Sequence, residues 1–180
     1  KSQGLFLYDQ LSNELKQYNF NNYRLNVHEQ LYTTCAYKDR QNTIWAIVNG
    51  TEHQVYKLNR ATDAFEPAFA DMSFDMVKKL SSYCMLEDTF GTLWFGTWNN
   101  GVFAVDKTTG IKANYLNTEG VDKILHIHSI VEYEPVTFYI GSNEGLTSLM
   151  GTPIKGYKRD EHLREPVLSN CFVYPIYKDR

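Results

Sequence analysis

Short runs of residues with strand-like patterns, separated by turn residues, recur along the chain. The clearest set comprises four runs at residues 82–87, 93–98, 101–106 and 111–116. Between them lie Asp-Thr-Phe-Gly, Asn-Asn and Lys-Thr-Thr-Gly, which favour tight turns. No helical apolar spacing persists over about three turns, which argues against a repeat built of two helices. The pattern therefore predicts four antiparallel strands, labelled A to D in chain order.

This set of four strands repeats. Residues 37–48 match residues 86–97, and a weaker copy lies at residues 136–142. The repeat phase is marked by the aromatic residues Trp45, Trp94 and Tyr139. They are 49 and 45 residues apart. Four short strands in every 40–50 residues or so are typical of a β-propeller blade, so the sequence predicts an all-β chain of such blades.

We expect one propeller segment over residues 1–180, with about four blades of which the first and last are incomplete. Its predicted parts are strands C and D of a first blade at 1–22, blades at 31–70, 80–117 and 124–158, and the first strand of a further blade at 171–180. A sequence that opens at strand C and stops inside a hairpin is expected to be a fragment of a larger propeller array.

The turn between strands A and B has a recognisable chemistry. Asp88 can accept hydrogen bonds from backbone N–H groups two residues on, and Gly91 can adopt a positive φ. Asn42 stands where Gly91 stands in the other copy, and asparagine is the next most tolerant residue for that conformation. The third copy is one residue shorter at 134–136, so that hairpin is expected to differ in shape.

The pattern at residues 86–116 resembles the two-component regulator propeller repeat. It reads Leu-Glu-Asp-x-x-Gly-x-Leu-Trp-x-Gly-Thr, followed by Asn-x-Gly-Val-x-x-x-Asp and a Thr-Gly turn. Residues 37–60 match moderately and residues 136–150 weakly, while 4–9 and 172–180 match as half-repeats. The resemblance therefore extends over nearly the whole chain.

The resemblance implies the periplasmic sensor region of a hybrid two-component histidine kinase that is anchored in the inner membrane. Such a region senses oligosaccharides, and its implied partners are the other blades of the parent chain and a second protomer in a homodimer. The kinase, receiver and DNA-binding segments of that family are not found in this sequence. The segment itself is therefore expected to be non-catalytic, and neither a cofactor nor a metal site is predicted.

Composition and charge exclude several other classes of protein. Hydrophobic residues make up 43% of the chain, which excludes global disorder. The 18 basic and 21 acidic residues give a net charge of −3, so no electrostatic footprint for nucleic acid is present. No apolar run approaches the roughly 20 residues that span a bilayer, so no direct membrane contact is predicted for this segment. The aromatic content of 14% favours strands.

The repeat separates structural residues from candidate ligand-binding residues, because a ligand site needs asymmetry. Residues that recur at one phase are interpreted as turn aspartates or as aromatics packed between blades. This group contains Asp39, Asp88, Asp179, Trp45, Trp94 and Tyr139. Strand alternation places the B–C and D–A loops on one rim, so off-repeat residues in those loops are the candidates.

Among the B–C loops, Trp98 has no aromatic counterpart in the other copies. A sugar requires a flat apolar face for its ring and amide groups for its hydroxyls. The predicted oligosaccharide-binding residues are Trp98, Asn99, Asn100, Asn49, Asn143 and His128. The alternative is that Trp98 only covers a neighbouring loop.

His126 and His128 face the same way on a strand, but no third metal ligand is positioned with them by the spacing of the sequence.

Two other functions remain open at this stage. The blades could be structural or mediate dimerisation, with the ligand site elsewhere in the parent. A secreted glycan-active propeller enzyme is the weakest alternative. Such an enzyme needs an asymmetric acid–base pair, whereas the acidic residues here lie mostly in turns and on outer loops.

The three cysteines, Cys35, Cys84 and Cys171, are interpreted as small, mostly buried free thiols.

Overall fold

The computed structural model describes residues 4–23, 30–51, 53–69, 81–108, 110–115 (backbone only) and 126–150. Within these residues, strands and a single 3-10 turn at Asn21–Tyr23 form the regular structure. The strands are β1 (Leu5–Asp9), β2 (Glu14–Tyr18), β3 (Tyr32–Lys38), β4 (Ile44–Asn49), β5 (Val55–Asn59), β6 (Ala64–Pro67), β7 (Ser82–Glu87), β8 (Leu93–Thr97), β9 (Val102–Asp106), β10 (Gly110–Tyr115), β11 (Ile127–Glu134), β12 (Thr137–Ser142) and β13 (Gly145–Met150). In this part of the chain, no helix has the length and apolarity that a membrane span requires.

Every pair of neighbouring strands is antiparallel, and each sheet follows chain order. Two sheets have four strands, in the orders β3-β4-β5-β6 and β7-β8-β9-β10. The strands β11-β12-β13 form a third sheet, and β1-β2 form a hairpin. The predicted fold class, all-β with four-stranded antiparallel propeller blades, is confirmed. The chain divides into two compact units, residues 1–80 and residues 81–180.

The strands predicted for residues 82–116 agree with β7 to β10 to within one residue at each end. The reason is local. Every residue of β8 is buried, as expected for a strand that carries apolar or small side chains on both faces and is covered on both. Turn residues then end each strand at a defined position.

The A–B turns of the two four-stranded sheets share one geometry. Asn42 has φ 63° and Gly91 has φ 82°, which confirms that asparagine replaces glycine in the left-handed position. The hairpin between β11 and β12 differs, as expected from its shorter sequence. It turns through Pro135 and Val136 alone, and Val136 takes the positive φ, at 63°.

The core of the second unit lies between two sheets. Trp94 packs against Phe138 with ring centroids 4.3 Å apart, which confirms its predicted role in packing between blades. This core contains Trp94, Val102, Ala104, Ile127, Ile130, Phe138, Ile140 and Leu149. The sheets approach most closely at Gly96, where an added Cβ would lie 2.5 Å from Ile127 Cγ2. A glycine is therefore required at this contact.

The first unit has a core of its own. It is formed by Tyr18, Phe20, Leu31, Ala46, Val48, Tyr56 and Phe65. Trp45 stacks on Phe69 of the same unit, with ring centroids 5.8 Å apart and an interplanar angle of 22°. Cys35 and Cys84 are thiols outside any disulfide, and they are half-buried rather than mostly buried, because β3 and β7 are edge strands of their sheets. Cys171, Asp179 and the predicted strand at 171–180 lie outside the described residues.

Candidate functional site

The first strand of each of the three larger sheets contains a β-bulge near its start. The register of strand pairing shifts between Thr33 and Cys35 in β3, between Ser82 and Cys84 in β7, and between Ile127 and Ser129 in β11. The extra residues are Thr34, Tyr83 and His128. A bulge redirects the side chain that it carries. The β-bulge thus recurs in all three sheets, but its residue type differs in each. A ligand site needs such asymmetry.

The backbone of Trp98 connects the starts of two of these strands. Its N–H donates to the carbonyl oxygen of Ser81 at 3.1 Å, and its carbonyl oxygen accepts from the N–H of His126 at 2.8 Å. Ser81 and His126 directly precede β7 and β11, and both have positive φ, at 34° and 56°. Such conformations in residues other than glycine persist only where the surrounding structure holds them.

The loop that follows Trp98 is held by the side chain of Thr97. The Thr97 hydroxyl donates to the carbonyl oxygen of Gly101 at 2.8 Å and accepts from the N–H of Asn100 at 2.9 Å. Ser142 repeats this arrangement in the next sheet, where its hydroxyl accepts from the N–H of Glu144 at 3.1 Å. The two B–C loops are therefore fixed by a short polar side chain at the end of each B strand.

Four rings converge beside this loop. The indole of Trp98 lies 5.2 Å from the ring of Tyr83, 4.1 Å from that of His126 and 6.5 Å from that of His128. Tyr83 and His128 are themselves 6.5 Å apart. Trp98 remains 37% exposed despite these contacts. The rings come from two adjacent sheets, so this surface is shared between blades.

Two polar groups from the loop between β12 and β13 complete the surface. His128 Nε2 lies 2.6 Å from Asn143 Oδ1, so this ring nitrogen donates and the amide oxygen accepts. Glu144 Oε1 lies 3.8 Å from His126 Nδ1, and the Glu144 side chain is 43% exposed. We call Tyr83, Trp98, His126, His128, Asn143 and Glu144 the Trp98 cluster. It offers ring faces, an amide and a carboxylate to the solvent at one end of the sheets.

The structure brings three of the predicted site residues together, namely Trp98, His128 and Asn143. Asn99 and Asn100 lie in the adjoining loop, exposed and half-buried respectively. Asn49 lies in the other unit, where it is buried to 5% exposure and neither amide atom has a hydrogen-bond partner among the described residues. Its side chain therefore offers little to a ligand in solution.

Sequence reasoning missed Tyr83 and did not select His126 or Glu144. The bulge that redirects Tyr83 arises from pairing between strands and leaves no mark in the local pattern. One signal was nevertheless available. Tyr83 and His128 occupy the same repeat phase as Thr34, so a residue type that varies at a constant phase pointed to this position.

Within the described ranges, no group of three histidine, cysteine, aspartate or glutamate side chains could hold a metal ion.

Comparison with known proteins agrees with the fold and the repeat. Residues 78–99 match the family described as the two component regulator propeller, so the resemblance predicted from the sequence is confirmed for this repeat. No curated protein matches the chain.

Two crystal structures of an extracellular domain from B. thetaiotaomicron share the fold. One is described as belonging to a candidate one component system and the other to a candidate hybrid two component system. The TM-scores are 0.66 and 0.65, at 21% and 22% sequence identity. Each comparison covers 99% of this chain and 23% of the other, so the chain spans about a quarter of the length of that domain.

Proposed function

We propose that this chain is part of the extracytoplasmic, periplasmic sensor region of a membrane-anchored two component signalling protein. We further propose that it binds an oligosaccharide at the Trp98 cluster. The two component regulator propeller repeat at residues 78–99 and the fold shared with an extracellular domain support the first part. The role is one of binding, and no reaction is assigned to these residues.

The observation that supports the second part is the surface around Trp98. An exposed indole beside imidazole, amide and carboxylate groups suits a sugar, because pyranose rings bind on aromatic faces while their hydroxyls exchange hydrogen bonds with planar polar groups. The asymmetry of the bulge positions favours the same conclusion. If this surface served only for packing between repeats, we would expect the same residue type at all three bulge positions, Thr34, Tyr83 and His128.

The location of the cluster also suits signalling. Trp98 follows β8, whereas His128 and Asn143 belong to the next sheet, so a ligand that touches all three would contact two blades at once. Binding would favour one arrangement of these blades over others by the difference in affinity for the two arrangements. Neighbouring blades or a second protomer would then receive the change.

Glycan binding tests this proposal. The 180-residue chain is applied to an array of neutral and acidic oligosaccharides, and the dissociation constant of each binding sugar is measured by isothermal titration calorimetry. Trp98→Ala is expected to raise that constant by about tenfold, which corresponds to about 1.4 kcal/mol and to the loss of one aromatic contact. The matched control is Phe90→Ala, because Phe90 is a 70% exposed aromatic in the A–B turn, at the opposite end of β7 and β8.

A structural role for Trp98 is the second candidate function. It is favoured by the 4.1 Å contact between the Trp98 and His126 rings and by the backbone bonds that Trp98 makes to both neighbouring strands. If Trp98→Ala lowers the melting temperature but leaves glycan binding unchanged, Trp98 serves packing and any glycan site lies elsewhere. If the chain binds no oligosaccharide at all, these blades serve as scaffold.

A further inference from the structure

Acidic and basic side chains are segregated along the strands in the described part of residues 81–150. Among the side chains described in residues 81–150, those at the end with the A–B and C–D turns are Glu87, Asp88, Asp106, Lys107, Glu132 and Glu134. Lys107 Nζ and Glu87 Oε1 pair at 2.7 Å there. At the opposite end, which carries the Trp98 cluster, Glu144 is the one acidic or basic side chain, histidine apart, in these described positions.

Glu144 is held close to the ring surface. Its Oε1 lies 3.8 Å from His126 Nδ1, and the His126 ring lies 4.1 Å from the indole of Trp98. A single imidazole therefore separates the carboxylate from the indole. The Glu144 side chain is 43% exposed, so its oxygens are accessible to a ligand that lies on Trp98.

We infer that the Trp98 cluster accepts neutral oligosaccharides and that Glu144 discriminates against sugars that carry carboxylate or sulfate groups. This inference rests on the proposed function. A carboxylate accepts strong, charge-assisted hydrogen bonds from sugar hydroxyls. The same carboxylate repels an anionic sugar, so one residue provides both affinity and selectivity.

Histidine charge is the variable that must be controlled. His126 and His128 face Trp98, and His126 also faces Glu144, so protonation of either ring would add positive charge next to the carboxylate. Since histidine commonly changes charge between about pH 5 and 8, binding is measured near pH 8.

The test compares ligands that differ in one group. Neutral members of the oligosaccharide array, including α-1,4-linked galactose oligomers, are each paired with the uronic acid oligomer of equal length and linkage, here the galacturonic acid oligomer. The wild-type chain is expected to bind the neutral member at least about tenfold more tightly. Glu144→Gln is expected to reduce that ratio by about fivefold or more, mainly through tighter binding of the uronic acid oligomer. Glu134→Gln is the matched control, because it removes an exposed carboxylate from the opposite end of the sheets and should leave the ratio unchanged.

The outcomes separate the inference from the proposed function. If Trp98→Ala weakens binding but the uronic acid member binds as tightly as the neutral one, the site is correct and the inference is wrong. The inference is also wrong if Glu144→Gln leaves the ratio unchanged. If no pair shows binding, or if binding does not respond to Trp98→Ala, both the proposed function and the inference are overturned.

Discussion

The indole Nε1 of Trp94 donates a hydrogen bond of 2.8 Å to the carboxylate Oδ2 of Asp88. The other oxygen of Asp88 accepts from the backbone N–H groups of Phe90 and Thr92, at 2.9 and 2.8 Å. Trp45 and Asp39 repeat the indole bond at 3.0 Å. One carboxylate thus holds both the A–B turn and the strand that follows it. This shared role explains why the aspartate and the tryptophan recur six residues apart.

Removing the Asp88 carboxylate should therefore be costly. Asp88→Ala is expected to lower the free energy of unfolding by about 3 kcal/mol, because buried donors then lose charged acceptors. Asp88 is 4% exposed. Chemical denaturation measures the change. The control is Asp9→Ala, since Asp9 also accepts two backbone N–H bonds but lies in an exposed turn. Equal losses for the two variants would contradict the role assigned to Asp88.

The left-handed turn position makes a second prediction. Gly91→Ala is expected to lower stability by about 1 kcal/mol, because a Cβ is disfavoured at its φ of 82°. Asn42→Gly places glycine at the equivalent position, where φ is 63°, and should be neutral or slightly stabilising. Melting temperatures of the two variants provide the comparison. A fall for Asn42→Gly as large as that for Gly91→Ala would show that the side chain of Asn42 has another role.

The contact between sheets at Gly96 makes a third prediction. An alanine Cβ there would lie 2.5 Å from both Cys84 Sγ and Ile127 Cγ2. Gly96→Ala is therefore expected to lower the free energy of unfolding by about 1–3 kcal/mol through overpacking. Ile127→Ala removes the Cγ2 methyl that the new Cβ would meet, so the double variant should lose less stability than the sum of the two single losses. Strictly additive effects of the two substitutions would contradict a direct contact.

A salt bridge in the first unit makes a prediction about pH. The Lys16 ammonium, followed by the Tyr18 hydroxyl, holds the pKa of the Asp63 carboxyl below its ordinary value of 3.8. Asp63 in turn raises the pKa of Lys16 above 10.5. For Asp63 the folded-state pKa is the lower one, so its stabilising effect is present above pH 3.8 and is lost as the pH falls through the folded-state pKa. For Lys16 the folded-state pKa is the higher one. Its stabilising effect is therefore present below pH 10.5 and is lost as the pH rises through the folded-state pKa.

NMR titration of the aspartate carboxyl carbons measures this coupling. In Lys16→Met, the pKa of Asp63 is expected to rise toward its ordinary value. Asp9 serves as the internal control, because the backbone N–H groups of Leu11 and Ser12 lower its pKa without help from Lys16. A parallel rise at Asp9 would indicate that the substitution disturbs the hairpin as a whole.

Much of the fold could be predicted because its causes are local. The positions of β7 to β10 follow from apolar runs and turn residues, and the conformation of Asn42 follows from its repeat phase alone. Within the site, Trp98 could be selected because it departs from the repeat. Tyr83 could not, because its direction depends on a bulge formed by pairing with β8. The burial of Asn49 was equally inaccessible, since it depends on what packs around the end of β4.

The sequence by itself determined the all-β class, the four-stranded repeat, the turns and the asymmetry of Trp98. These properties depend on short-range preferences and on comparison of one repeat with the next. Only the tertiary structure decided that the rings of His126 and His128 meet the indole of Trp98, and that Glu144 lies beside His126. The ring contacts arise where two sheets pack, between residues that lie 28 and 30 positions apart in the chain. Spacing along the sequence does not encode distances across such a contact.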